Sequence, residues 1–276
     1  MPREYGGEPD LYWVPPGIDP TVPNAARVYD YCLNGAHNFP ADRDMADKIE
    51  QMVPAARDAS RVQRSFLRRV VLFMVDSGIR QFLDIGSGIP TVGNVHEIAQ
   101  RADPECRIVY VDKDPVAVAH SELLLVGNDR AAAIKADLRD VEDILDDPQT
   151  KSLIDFDQPV GLLMLWLLHF IPDSGDPARI LARYRNRLTP GSYLAISHGT
   201  TDGNPAGLDE VIELYRDTPE PMYLRSHEEI LRLFTGFDLV EPGLVGSAFW
   251  RPSGPGDSSE SAEMNTVSYG GVGRNP

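Results

Sequence analysis

Residues 82–93 read FLDIGSGIPTVG, from Phe82 and Leu83 through Asp84, Gly86, Ser87 and Gly88 to Pro90, Thr91 and Gly93. An apolar strand ends in Asp-x-Gly-x-Gly, and a helical pattern follows over 91–101. In an open parallel sheet, ligands bind beyond the carboxyl ends of the strands. Gly86 and Gly88 carry no side chains, so backbone there can pass close to a bulky ligand. Three ligand classes use such a loop. A phosphate-binding loop needs GxxxxGK[ST], and the lysine is missing. A dinucleotide loop needs a third glycine, where Thr91 stands, and Pro90 disturbs the tight turn into the helix. The third class places a carboxylate two residues before the first glycine, as Asp84 is placed, which suits a ligand with a cationic end. A purely structural turn is the remaining alternative.

Outward from this loop, strands alternate with helices. Strands are predicted at 81–85, 107–112, 131–136, 160–166, 192–197 and 239–250. Helices are predicted at 115–126, near 141–145, at 177–188, and from a Ser226/Glu229 capping box to before Gly236. This order implies βαβ units and a doubly wound, mostly parallel α/β sheet. Its second strand ends on Asp112, 28 residues after Asp84. That is longer than the usual ~20 of a dinucleotide fold and implies a longer loop around 89–94. A carboxylate at Asp112 can accept hydrogen bonds from both hydroxyls of a ribose. The third strand ends at Asp137-Leu138, where an acid can accept from an adenine amino group and a leucine can cover the ring. Each acid alone reads equally as a helix N-cap; the ordered set of three points to a nucleoside-like ligand.

The totals narrow the partners. The 276 residues are 42% hydrophobic, enough for a real core, and the formal net charge is −16. A chain this acidic repels phosphate backbones, so nucleic acid is not an expected partner. Arg57, Arg61, Arg64, Arg68 and Arg69 form the one basic cluster and read as the solvated face of an amphipathic helix. Cys32 and Cys106 lie in no metal-ligand spacing, so no metal is expected, and a reducing cytoplasm fits. The longest apolar run, 161–170, is too short to span a bilayer, which needs about 20 residues; no membrane partner is expected. Residues 1–23 read as an irregular arm. A helix over about 42–52, a break at Pro54 and a helix ending at Gly78 follow. Residues 252–263 look disordered by composition, whereas 265–273 is expected to return into the sheet as a strand beside the preceding one.

Three stretches together resemble class I S-adenosylmethionine-dependent methyltransferases, and within them a bacterial family long described as a domain of unknown function. They are 26–39 (ARVYDYCLNGAHNF) followed by Ala41-Asp42-Arg43, 83–91 (LDIGSGIPT), and 168–173 (LHFIPD). The resemblance runs from about 24 to 250 and takes in 269–274. It implies a Rossmann-like seven-stranded sheet whose last strand inserts antiparallel between the fifth and sixth, with an N-terminal helical lid. The division is then 1–78 for arm and lid and 79–276 for the methyltransferase domain. It implies S-adenosylmethionine as cofactor, with Asp84, Gly86, Ser87, Gly88, Asp112, Lys113, Asp137 and Leu138 around it. Asn34 and Asn38 are expected to contact it from the lid.

The expected activity is in-line methyl transfer to a small-molecule acceptor; the rival from another class is a protein that binds or senses the cofactor without turnover. A nitrogen or sulfur acceptor needs little help, whereas a hydroxyl or carbon acceptor needs a positioned base. His198, just past the fifth strand, is the preferred candidate and His169, past the fourth, the second. Either could instead fix a loop by hydrogen bonding to backbone. Trp166 reads as a buried sheet tryptophan, the alternative being a ring packed beside the adenine or methionine moiety of the cofactor.

Overall fold

The computed structural model describes residues 18–276 except 92 and 204, so most of the predicted arm lies outside the described residues. Three helices come first: α1 (Ala25–Cys32), α2 (Pro40–Met52) and α3 (Ala56–Asp76). Asn24 caps α1 by accepting from the amides of Ala26 and Arg27. Gly78, at φ +95°, closes α3 as expected.

The sheet follows: β1 (Gln81–Ile85), β2 (Arg107–Asp112), β3 (Ala131–Lys135), β4 (Gly161–Leu165), β5 (Tyr193–Gly199), β6 (Asp238–Leu239), β7 (Val245–Gly246) and β8 (Ser268–Arg274). The order is β3-β2-β1-β4-β5-β8-β6, with β7 also on β8. The first five pair in parallel, and β8 runs antiparallel to β5, β6 and β7. This is the expected seven-position sheet with its closing strand inserted. One expectation fails. Of the strand predicted over 239–250 only Leu239, in β6, and Val245–Gly246, as β7, are strand, because a turn over Val240–Gly243 with Gly243 at φ +85° separates them and Ser247–Phe249 forms a 3-10 turn.

Alternation along each strand sorts the core into two layers. Leu83, Val109, Leu162 and Leu194 face one layer with Ile144, Leu181, Tyr184 and Ile230 from the crossover helices α6 (Val141–Asp146), α8 (Pro177–Arg185) and α10 (His227–Arg232). Their neighbours Phe82, Ile108, Leu163 and Ala195 face the other, with Phe66, Val70 and Met74 of α3, Val95 and Ala99 of α4 (Val95–Ala102) and Val118 of α5 (Pro115–Leu124), while Leu153 of α7 (Pro148–Leu153) packs on the first layer. The long helix α3 therefore belongs to the core of the sheet. Residues 252–263 also depart from their composition. Asp257 is buried, hydrogen-bonds Ser65 of α3 and accepts from the amides of Ser253 and Gly254, so the segment is tied down. Among the described residues no helix is long and apolar enough to cross a membrane.

Candidate active site

Beyond the carboxyl ends of β1, β2, β3 and β4 lies a cavity of about 450 Å³, within the range of small-ligand sites. Its floor is the glycine loop. Gly86, at φ +70°, sits against Leu167, whose side chain would be 2.5 Å from an added Cβ. The amides of Gly86 and Ser87 donate to the Val111 carbonyl (2.8 and 3.1 Å), which binds the loop to β2. Gly88, at φ +66°, aims its amide at Asp112 Oδ2 (2.7 Å), and the Asp114 amide donates to Oδ1 (2.8 Å). Two backbone amides thus fix the Asp112 carboxylate at the cavity edge. Helix α4 starts at Val95, later than predicted, because Asn94 and Glu97 form a capping box there; the loop is correspondingly long.

The three strand-end acids all line the cavity but differ electrostatically. Burial pushes the Asp84 carboxyl up to about 7, against the pull of Arg64. Burial likewise raises Asp112, to about 6, although its two amide bonds oppose the shift. Asp137 goes the other way: Arg139 forks onto both its oxygens (2.7 and 2.6 Å) and lowers it. Lys113 pairs with Glu220 (3.2 Å), which also accepts from Asn24 Nδ2 and the Ala25 amide. That carboxylate ties the loop over 219–224 and the start of α1 to the end of β2. A buried Arg27 does the same beneath it, reaching Asp42 (2.8 Å) and Asp114 (3.3 Å).

The two histidines separate. His198 is not past β5 but inside it, paired with Tyr269 of β8, fully buried and absent from the cavity wall. Its Nδ1 donates to the Gly199 carbonyl (2.6 Å), so its Nε2 is the acceptor for Arg225 Nη1 (2.8 Å). Burial, with Arg225 adding to it, lowers its pKa to about 4. With both nitrogens committed, His198 orients Arg225, which also holds the carbonyls of Leu168 and Ile171 (3.1 and 2.8 Å). The assignment of His198 as a base is therefore corrected. His169, in the turn Leu168–Phe170, does line the cavity. Its Nδ1 accepts a long bond from the Gly199 amide (3.4 Å), which leaves Nε2 as the protonated nitrogen, a donor. Burial holds its pKa well below the usual histidine value.

Helices α1, α2 and α3, the helix α9 (Leu208–Arg216) and the loop over 219–224 wall the rest of the cavity. Asn34 and Asn38 do not line it. Asn34 is exposed at the turn, at φ +61°, and Asn38 spends its amide on Asp30 Oδ2 and the Gly35 carbonyl (2.8 and 3.0 Å). Gln63 and Glu220, which the sequence reading passed over, line the cavity together with Arg64 of α3 and Tyr29 of α1. The arginine cluster is thus not one solvated face: Arg64 reaches the cavity and donates to the Gly93 carbonyl (2.6 Å), and Arg69 is buried on the Ser247 carbonyl (2.9 Å). A signal was present, because the apolar stripe Leu67, Val71, Met74 continues toward the helix start as Ser60, Gln63 and Arg64. Polar residues in a buried stripe mark a wall that faces something other than core.

A sequence model of the S-adenosyl methyltransferase family matches residues 12–276. The chain belongs to that family. A proposed methyltransferase from Thermobifida fusca shares 39% identity, over 95% of this chain and 98% of that one, with a TM-score of 0.89. A DUF574 family protein from Streptomyces avermitilis shares 38%, over 94% and 99%, also at 0.89. The N-methyltransferase NodS from Bradyrhizobium japonicum, crystallised with S-adenosyl-L-homocysteine, has the same fold at 13% identity, over 84% and 98%, with a TM-score of 0.51. No functionally curated protein matches. The chain is a class I S-adenosylmethionine-dependent methyltransferase, as its loop, strand order and inserted last strand anticipate.

The residues present fit that cofactor. Asp84 is a buried carboxyl that makes no hydrogen bond among the described residues, at a place where a cationic ligand end would compensate it. Asp112 keeps a free lone pair on each oxygen for hydroxyl donors. Leu138 offers an apolar surface beside Asp137.

Proposed function

We propose that this methyltransferase aligns S-adenosylmethionine with a small-molecule acceptor inside one two-part cavity, and that alignment and exclusion of water, rather than proton abstraction, are its main contributions. The observation that carries this reading is the division of the lining. Carboxylates and glycines gather at the strand ends, and apolar side chains gather under the N-terminal helices.

When bound, the cofactor supplies an activated methyl group on a sulfonium, for which the residual barrier is largely one of orientation. Asp112 would hold the ribose hydroxyls, while Asp137 and Leu138 would hold the adenine by its amino group and its face. Gly86, Ser87 and Gly88 would give their backbone to the body of the ligand. Asp84 would face the cationic methionine end, with Arg64 beside it for the carboxylate. Lys113, through Glu220, would keep the wall closed over the ribose. Residues 1–78 act as arm and lid in this reading and 79–276 as the transferase domain, with α3 shared in packing. His169 would donate from Nε2 to an acceptor or to water and so fix its orientation; no residue is assigned as a base.

The test is a titration with S-adenosylmethionine and S-adenosylhomocysteine. The reading expects both to bind at a single site and each to exclude the other. Absence of binding by either would overturn it.

A further inference from the structure

The helical half of the cavity has features that the cofactor does not use. Five rings that line it form a chain. Tyr29 and Trp166 lie 5.7 Å apart, Trp166 and His169 6.3 Å, His169 and Phe170 4.4 Å, and Phe170 and Tyr215 6.1 Å between centroids. Aliphatic side chains such as Val28, Val53 and Val211 fill the spaces around them.

Two polar atoms beside these rings lack a hydrogen-bond partner among the described residues. Gln63 is 3% exposed and its Oε1 has no hydrogen-bond partner among the described residues; the same holds for Trp166 Nε1. Buried polar atoms are nearly always satisfied, and a pair left open in one cavity wall calls for a ligand that satisfies them. Trp166 is also held in an unusual way. It has φ +52°, a conformation that costs a non-glycine residue roughly 1–3 kcal/mol, and its amide donates to both the Ser197 carbonyl and Ser197 Oγ (3.0 Å each). The two bonds hold the backbone that carries the indole in this conformation.

Charge separates the two halves. The charged residues of the lining lie toward the strand ends, where Lys113 meets Glu220, Arg139 meets Asp137, and Arg64 meets the Gly93 carbonyl. Around the rings the titratable groups are Tyr29, Tyr215, Cys32 and His169, and burial pushes each toward its neutral form, with Arg64 beside Tyr29 and Glu220 near Tyr215 at the boundary between the halves. Beyond those boundary groups a charged ligand would lose its hydration without a countercharge.

We infer that the acceptor is an uncharged, planar aromatic molecule, stacked among these rings, with an oxygen or nitrogen that accepts from Trp166 Nε1 and a polar group that pairs with the Gln63 amide. Tryptophan only donates, so the ligand must bring an acceptor atom to it, whereas an amide can match either kind of partner. The inference rests on the proposed placement of the cofactor at the strand ends.

The test uses the full chain saturated with S-adenosylhomocysteine and a calorimetric series of four probes. These are 4-hydroxyquinoline and 2-naphthol as neutral bicycles with a polar handle, quinoline-4-carboxylate as the charged counterpart, and decanamide as the neutral aliphatic one. The neutral bicycles should bind, and the other two at least tenfold more weakly. Gln63→Leu and Trp166→Phe should each weaken the neutral bicycles about tenfold, the effect of losing a hydrogen bond and stranding its partner. Gln63→Glu, equal in shape, should weaken them too if Gln63→Leu fails to fold. Affinity for S-adenosylhomocysteine should stay within twofold in every folded variant. If neither neutral bicycle binds, if the carboxylate or decanamide binds as well, or if the variants leave their affinity unchanged, the inference is wrong. Loss of S-adenosylhomocysteine binding by the unmodified chain would instead overturn the cofactor placement.

Discussion

The strand-end half of the cavity and its helical half are held by different kinds of residue. At the strand ends, backbone does the positioning: Gly86 and Ser87 hang on the Val111 carbonyl, and the amides of Gly88 and Asp114 grip Asp112. Asp84 and Asp112 sit in the last two residues of their own strands, and Asp137 follows β3 by two residues. In the helical half, side chains from α1, α2, α3, α9, the turn after β4 and the 219–224 loop meet through apolar contact and tilted or edge-on rings. Segments far apart in the chain therefore build one surface. The first arrangement is suited to an invariant ligand held by fixed hydrogen bonds. The second can change its lining by single substitutions without disturbing the sheet.

The largest expected effect breaks the sheet that supports the strand-end half. Strand β8 lies between β5 and β6, with Val272 fully buried. Truncation after Ser253 should abolish cooperative melting, because β5 loses the partner on its β8 side along its whole length and β6 and β7 lose theirs. A soluble product with an unchanged melting temperature and unchanged cofactor affinity would show that the tail is dispensable. Next comes Asp112→Ala, which should weaken S-adenosylhomocysteine binding by about 1.5–3 kcal/mol, the usual worth of hydrogen bonds to a charged group. An intact fold with undiminished affinity in calorimetry would remove the ribose assignment.

A smaller effect should appear in the pH dependence. Asp84 titrates at about 7 in the cofactor-free protein and must ionise to face a cation, so S-adenosylmethionine affinity should fall as pH is lowered from 8 to 6. The stability of the cofactor-free protein carries the opposite sign. Asp84 and Asp112, at about 7 and 6, both titrate above the unfolded carboxylate value near 4. Their contribution is full below that value and is lost as pH rises through 6 and 7. A flat affinity profile would separate Asp84 from the cation. Smallest is Asn34→Ala. It should lower stability by about 1 kcal/mol, because asparagine tolerates the left-handed backbone better than alanine does, with no change in cofactor affinity. A measurable loss of binding would restore Asn34 to the site.

This contrast also explains what could be read in the sequence. Asp84, Asp112 and Asp137 were legible because strand periodicity places the end of each strand, and the end of a parallel strand is where ligands sit. The returning β8 was legible from Val267, Tyr269 and Val272 after a polar linker. His198 was misread because β5 continues through Gly199, which puts the residue inside the strand opposite Tyr269 instead of in a loop. The strand over 239–250 was misread because Pro242 and Gly243 turn the chain after Val240 and Ser247–Phe249 coils into a 3-10 turn, although β-forming residues flank both. Gln63, Trp166 and Glu220 acquire meaning only when helices and loops from five parts of the chain are brought together. No local pattern encodes that meeting, although the polar stretch of the α3 stripe hints at it.

The most direct test of the central claim, that the strand-end acids hold the cofactor and turn its methyl group toward the ring-lined half, is a crystal structure with S-adenosylmethionine bound. The account predicts both ribose hydroxyls within hydrogen-bond distance of Asp112, the adenine beside Asp137 and Leu138, the ammonium end at Asp84, and the methyl group directed toward Trp166 and Gln63. A ribose that does not touch Asp112, or a methyl group directed away from the rings, would contradict it.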